Sequence, residues 1–265
     1  IKVPGRNGSF AESKGDGVNV EVMYSPFEAV EKAEKNPETT YVVAAVGFET
    51  TAPAYALMLE EAHRRDIKNI KLVTALKTVI PALEWICENQ QDIDGFICPG
   101  HVSVIIGSDA YRELADRYHK PFVVAGFEGE HILAVIYDIV RQLEAGESQV
   151  RNYYTNAVKP EGNLKALEVI NKYFEAGSAV WRGLGPIADS GLYLREEYRN
   201  YDGGSFGLDE DITLPKACRC GDVIVGRINP DECPMFGKSC NPLEPYGPCM
   251  VSAEGACGIW YRNRR

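Results

Sequence analysis

The sequence predicts an α/β protein: a doubly wound parallel-sheet domain followed by an irregular C-terminal region. Three observations carry this. Four short, almost wholly apolar runs recur between residues 41 and 127. Stretches of helical periodicity separate them, as crossover helices separate parallel strands that are buried on both faces. Six of the eight cysteines then fall between Cys218 and Cys257, in a segment punctuated by proline.

The opening "IKVPGRNGSF" reads as a turn entered in mid-stride, so a preceding segment is expected. "VNVEVMYSP" (18–26) reads as a strand and "PFEAVEKAEKNP" (26–37) as a helix, the remnant of a first α/β domain over residues 1–37. A second α/β domain is expected over 38–148. Its strands are "YVVAAVGF" (41–48), "IKLVTAL" (70–76), "DGFICPG" (94–100) and "PFVVAGF" (121–127). Its helices are "TAPAYALMLEEAHRRD", "VIPALEWICENQ", "SDAYRELADRYH" and the long "GEHILAVIYDIVRQLEAG", which stops at Gly146. Strand and helix in strict alternation make a Rossmann-like, doubly wound sheet. Over 149–265 the pattern loosens. "NYYTNAVKPEGN" is a polar connection, "LKALEVINKYFEAG" a helix, "WRGLGPIADSGLYL" a glycine-rich passage with strand-like ends, and "YRNYDGGSFGLDED" acidic and turn-rich.

Composition excludes several functions. The chain is 45% hydrophobic and 25% charged, ordinary for a soluble globular protein. No apolar run approaches the ~20 residues of a membrane span. A formal charge of −10 argues against a surface that neutralises phosphates, so no nucleic acid partner is expected. "GRNG" and "DGGSFG" lack the dinucleotide and P-loop spacings, so no nucleotide cofactor is indicated.

An open parallel sheet gathers ligands at the carboxyl ends of its strands. The loops leaving those ends are "GFETT" (47–51), "LKT" (76–78), "CPGHVS" (98–103) and "GFEGE" (126–130), which bring Glu49, Thr50, Thr51, Lys77, His101, Ser103 and Glu128 to one edge. Thr50, Thr51 and Ser103 also suit helix N-caps, and that alone would explain them. His101 follows Pro-Gly in a turn at this edge, which favours a functional role. His63, His119 and His131 lie on helices or their ends and read as surface residues. Cys87 and Cys98 lie in apolar stretches and read as buried, inert thiols.

The tail is spaced C-x-C-x12-C-x6-C-x8-C-x7-C over Cys218, Cys220, Cys233, Cys240, Cys249 and Cys257. Pro234, Pro242, Pro245 and Pro248 keep its loops out of regular helix. Three chemistries fit so much sulfur. A disulfide framework belongs to small secreted scaffolds that lack a large α/β domain. Structural zinc sites show paired C-x2–4-C knuckles or histidines, and no C-x2-C occurs here. An iron–sulfur cluster needs four thiolates and accepts irregular loops, which leaves two thiols for a redox pair. The cluster is the favoured reading, and spacing does not say which four cysteines would hold it.

"CRCGDVIVG", "PDECPMFGKSCNPLEPYGPCMVSAEGAC", "GFETTAP", "PGHVSVIIG", "VAGFE", "VPGRNGS" and "WRGLGPI" resemble the HypD family of hydrogenase maturation proteins. The resemblance runs over practically the whole chain. It implies a cytoplasmic, redox-active scaffold, rather than a conventional turnover enzyme, for assembling the iron centre of nickel–iron hydrogenases with its cyanide and carbon monoxide ligands. It further implies a 4Fe–4S cluster on Cys218, Cys233, Cys240 and Cys257, with Cys220 and Cys249 as a dithiol/disulfide pair. Thr50, Thr51 and His101 match the family's polar cleft residues, and Glu254 in "SAEGAC" is a weaker addition. A HypC-like small chaperone and a HypE-like cyanide donor are the implied partners. Family members also carry N-terminal "CGTH"-like and "GPGCPVC"-like motifs whose cysteines hold the transient iron, and neither motif occurs in this sequence. Two alternatives from other classes remain open: a thiol–disulfide redox enzyme with an iron–sulfur cluster, and a zinc-stapled binding module.

Overall fold

The computed structural model describes residues 8–205, 216–252 and 254–263. The expectations for "IKVPGRN" and for the second half of "YRNYDGGSFGLDED" lie outside the described residues. The chain forms two compact units: one is Ser25–Ala179 with Ala188–Leu208, the other Ile1–Tyr24 with Val180–Ile187 and Asp209–Arg265. These divisions differ from the boundaries expected at 37 and 148. The first helix, α1 (Phe10–Gly15), belongs to the smaller unit and opens on a capping box, with Glu12 N donating to Ser9 Oγ and Ser9 N to Glu12 Oε2.

In the larger unit, α2 (Phe27–Lys35) buries Ala29, Val30 and Ala33 and packs on the first two strands and on α3. It therefore belongs with the sheet that follows. The strand expected at 18–26 is not formed: those residues take no regular structure, and Val18, Val22 and Tyr24 are exposed. The Asn69 side chain donates to the carbonyls of Ala33, Asn36 and Thr39, fixing the turn between α2 and the sheet.

Next come β1 (Tyr41–Gly47), α3 (Ala52–Arg64), β2 (Ile70–Leu76) and α4 (Val79–Asn89), then β3 (Phe96–Pro99), α5 (Gly100–Ile106), α6 (Arg112–Tyr118), β4 (Phe122–Ala125) and α7 (Gly129–Ala145). All four expected strands exist, and every strand pair formed by β1 to β5 is parallel, consistent with a Rossmann-like domain. They do not form one continuous ladder. β1 pairs with β2 from Tyr41↔Ile70 to Gly47↔Leu76, while β4 runs between β3 and β5 (Val150–Asn152). Burial differs accordingly. All of β4 is buried, whereas β1 turns Val43 and Ala45 inward and leaves Val42 and Val46 exposed. The expectation of burial on both faces fails for β1, whose second face, with Val42 and Val46, is exposed.

α7 buries two polar side chains beside Val135. Asp138 (3% exposed) and Gln142 (1%) are buried, while Leu133 (70%) and Tyr137 (65%) face outward. The inward row binds β5: Arg151 Nη1 donates to Asp138 Oδ1 at 2.5 Å, and Gln142 Nε2 to Asp138 Oδ2 at 3.2 Å. The helix ends at Gly146 in the left-handed conformation, as its sequence predicts. Beyond it, α8 (Leu164–Tyr173) is capped by Asn163 and packs on α3. It leads into a ribbon of β6 (Phe174–Trp181) and β7 (Gly185–Leu194) joined by residues 182–184.

Among its described residues the rest of the smaller unit has little regular structure: α9 (Cys220–Ile224), α10 (Pro248–Val251) and α11 (Ala256–Arg262), with turns between them. Asn229 and Glu232 form a capping box around a short 3-10 turn. A tight turn at Gly237 brings Cys240 N to Met235 O and Gly237 N to Cys240 O. No helix among the described residues is long and apolar enough to cross a membrane.

Candidate functional site

Two places concentrate chemistry, and each is described within its own unit. In the larger unit, Thr50, Thr51 and His101 all lie at carboxyl ends of strands and are exposed. Thr51 sits at the N-cap of α3, but its hydroxyl turns back to donate to Phe48 O at 3.0 Å. The His101 ring lies 4.7 Å from that of Phe127. Among the described residues no hydrogen bond joins either threonine to His101.

Beneath this edge the polar residues are structural. Ser103 is fully buried and donates to Pro99 O (2.9 Å), so its contact with the Tyr111 hydroxyl (2.9 Å) has the tyrosine as donor. Burial pushes the Tyr111 hydroxyl and the Cys98 thiol up, and Cys87 up to about 11, so neither cysteine is a ready nucleophile. Glu49 is 5% exposed. Its Oε1 accepts from Val79 N at 2.7 Å and caps α4 from another element, which is the cap Thr78 does not supply. Its Oε2 has no hydrogen-bond partner, and burial raises the carboxyl above its usual range.

The ends of β3 and β4 carry a second polar group. His131 Nδ1 lies 3.0 Å from Glu128 Oε2, one helical turn apart at the start of α7. Gly126 permits this: a Cβ there would strike Glu128 Oε2 and stand 3.0 Å from His131 Nδ1 and 3.4 Å from the Tyr154 ring. Gly100 faces the other edge of the same ring, where a Cβ would stand 2.8 Å from Tyr154 Cδ1. Tyr154 thus floors the strand ends, and the sequence carried no sign of it. The Glu-x-x-His spacing was visible, yet His131 reads as a surface residue until the fold sets it against Glu128.

In the smaller unit, Cys220, Cys233, Cys240, Cys249 and Cys257 are buried in one cluster with Val223, Met235, Phe236 and Met250, and Cys218 packs against it. All are free thiols. Cys220 Sγ and Cys249 Sγ are 2.8 Å apart, and Cys249 N donates to Cys220 Sγ at 3.4 Å. Hydrogen bonds extend the row in both directions, from Cys218 to Cys220 and from Cys249 to Cys257. Hydrogen bonding with Cys218 and Cys249 lowers the Cys220 thiol and favours its thiolate. Cys257 is lowered by its bond from Cys249, while the two donors are pushed up. The Arg182 charge also favours the Cys220 thiolate, and its Nη2 donates to Tyr246 O at 3.2 Å. Gly247 makes room for the row, since a Cβ there would stand 3.1 Å from Cys218 Sγ and 3.2 Å from Cys220 Sγ.

Cys233 and Cys240 share the same core, and Cys240 Sγ accepts from Tyr246 N at 3.4 Å. Glu254 is exposed, with its N–H donating to Ser252 Oγ. Among the described residues no three His, Cys, Asp or Glu side chains are grouped so as to hold a metal ion. The donor chemistry nonetheless suits a soft metal: six thiols in one apolar core, two of them favoured as thiolates.

The sequence model of a family described as the hydrogenase formation hypA family, HypD, matches residues 1–264. The chain belongs to the HypD family. It is 39% identical to the hydrogenase maturation factor HypD of Escherichia coli (strain K12), over 100% of this chain and 72% of that protein. It is 40% identical to a putative hydrogenase expression/formation protein of Methanocaldococcus jannaschii, over 100% of this chain and 74% of that one. With the hydrogenase maturation factor HypD of Azotobacter vinelandii the identity is 40%, over 97% of this chain and 70% of the other. The resemblance drawn from the tail, "GFETTAP" and "PGHVS" thus extends over the whole chain, and it ties both the thiol cluster and the strand edge to a hydrogenase maturation family.

Proposed function

We propose that this protein is a redox-active scaffold in nickel–iron hydrogenase maturation, helping to assemble the iron centre with its cyanide and carbon monoxide ligands. The observation that carries the reading is the row of contacting sulfurs Cys218–Cys220–Cys249–Cys257 inside an apolar core. Cys220 and Cys249 are the redox pair. When their S–S bond forms, two electrons pass to the iron centre being assembled, which is the electron acceptor of this reading, and the thiol protons are released. Their sulfurs need a short shift to reach the about 2.05 Å of a disulfide. Cys218, Cys233, Cys240 and Cys257 would hold a 4Fe–4S cluster, which when bound supplies one-electron transfer.

Thr50, Thr51 and His101 act at the strand edge on the iron being assembled, which is cargo rather than cofactor. Glu254 is a further candidate beside Cys257. A HypC-like chaperone and a HypE-like cyanide donor are the partners of this reading, and the cytoplasm its location. The Cys220–Cys249 contact also favours a second reading, a free-standing thiol–disulfide redox enzyme. That enzyme would turn over a dithiol substrate with no maturation partner present.

The test is iron and sulfide content beside thiol titration for the six single Cys→Ser variants. Anaerobically purified protein is expected to hold about four irons per chain. Serine at Cys218, Cys233, Cys240 or Cys257 is expected to lose iron, since a hydroxyl is a poor soft ligand. Serine at Cys220 or Cys249 is expected to keep the iron and to lose the oxidisable pair. Equal iron loss across all six contradicts the division, and stoichiometric zinc without sulfide overturns the cluster.

A further inference from the structure

We propose that Glu128 and His131 form a carboxylate–imidazole dyad at the carboxyl ends of β3 and β4, in which His131 Nε2 is the proton acceptor for a small ligand bearing an O–H or S–H group. Its role in iron-centre assembly rests on the function proposed above. The dyad itself rests on geometry.

His131 Nδ1 is fully buried and lies 3.0 Å from Glu128 Oε2. The ring N–H is not aligned for a full hydrogen bond, so the contact is first an electrostatic one. A lone pair on Nδ1 facing a carboxylate oxygen at that distance would be repelled, and the proton therefore sits on Nδ1. The carboxyl is held below its usual range, chiefly by the backbone N–H of Glu128, with His131 and the Phe127 N–H adding to it, so Glu128 is an anion at neutral pH.

The His131 side chain is nevertheless 41% exposed. Nδ1 is buried, so the solvent-facing part of the side chain lies elsewhere on it. Fixing the proton on one ring nitrogen makes the other the acceptor. When the ligand's O–H or S–H bond breaks, the electron pair stays on the ligand and the proton moves to Nε2. The resulting imidazolium charge is matched by Glu128. Gly126 leaves room for the Glu128–His131 contact, since a Cβ there would strike Glu128 Oε2 and stand 3.0 Å from His131 Nδ1. Glu128 is a positioning residue here, because it acts through the imidazole.

The chain has four histidines, so their ring nitrogens can be resolved individually by long-range proton–nitrogen NMR after histidine labelling. Above pH 8, where histidines are neutral, His131 is expected as the Nδ1–H tautomer and His63 as the usual Nε2–H form. Glu128→Ala should shift His131 toward Nε2–H, and diethyl pyrocarbonate, which attacks a ring lone pair, should then modify it more slowly. An Nε2–H tautomer in the unaltered protein overturns the dyad, and so does a tautomer indifferent to Glu128→Ala in a variant whose backbone spectrum is otherwise unchanged.

The functional arm is hydrogenase maturation with His131→Gln against His63→Gln, with loss expected only for the former. Equal maturation by both removes His131 from the site while leaving the maturation reading intact. If the unaltered protein supports no maturation, that reading fails, and the tautomer and acylation results still decide the dyad.

Discussion

In the larger unit Phe122, Val123, Val124 and Tyr111 are buried by side chains of regular elements, whereas five of the nine buried residues at the core of the smaller unit are cysteines. The first interior is a scaffold, and its chemistry is displayed at strand ends some residues away. In the second, the atoms that exclude water are also the atoms that react. A substitution inside the larger unit is therefore read as stability, while one inside the smaller unit changes stability and chemistry together.

The strongest test of this contrast is Phe122→Ala. The ring is fully buried, 4.6 Å from Phe96 and 6.1 Å from Tyr111 by centroid. Its loss is expected to cost about 3–5 kcal/mol in urea unfolding, with the reactivity of the six tail thiols in the native protein unchanged, whatever happens to Cys87 and Cys98 in the same core. A change in the reactivity of the tail thiols would mean that the two interiors are not separate in effect.

Next in size is the charge pair under α7. Arg151→Met leaves Asp138 buried with only Gln142 beside it, an expected loss of about 2–3 kcal/mol. Asp138→Asn instead leaves a partly exposed arginine and is expected to cost about 1 kcal/mol. The same denaturation series measures both, and the reverse order would place the burden on the arginine.

The smallest effect is in pH dependence. Burial raises Glu49 above its ordinary value of 4.5, so the folded state favours the protonated carboxyl. The stability this contributes is fully present below 4.5 and is lost as pH rises through the folded value. Glu49→Gln keeps an acceptor for Val79 N and removes the titration. Its stability relative to the parent should therefore rise across that window and then level off. A difference that does not vary with pH would show that Glu49 titrates alike folded and unfolded.

Much of the α/β unit was legible because apolar runs and helical periods mark buried elements locally. The four strands fall within a residue or two of their expected places, and Gly146 ends α7 where it should. What sequence could not give is the partner of each face. "YVVAAVG" looks doubly buried, yet Val42 and Val46 are exposed. "VNVEVMY" has strand composition, yet its residues take no regular structure. β5 was missed because an arginine and an asparagine occupy two of its three positions, and their side chains are satisfied by Asp138 and by Val158 O. At the site, the strand-edge residues followed from topology alone. Cys220 and Cys249, by contrast, meet across 29 positions of irregular chain, with Gly247 giving the space. Neither charge nor periodicity announces such a pairing.

The polar pair buried by α7 has a consequence for how this sequence can vary. An apolar helix face tolerates one aliphatic residue for another, one position at a time. Asp138, Gln142 and Arg151 do not, because each satisfies another where water is excluded. Gln142 Oε1 also accepts from Gln149 N, at the residue just before β5. Positions 138, 142 and 151 thus form a lock whose parts are exchanged only as a set. A graft that imports β5 from a relative without its matching helix would arrive with the wrong key.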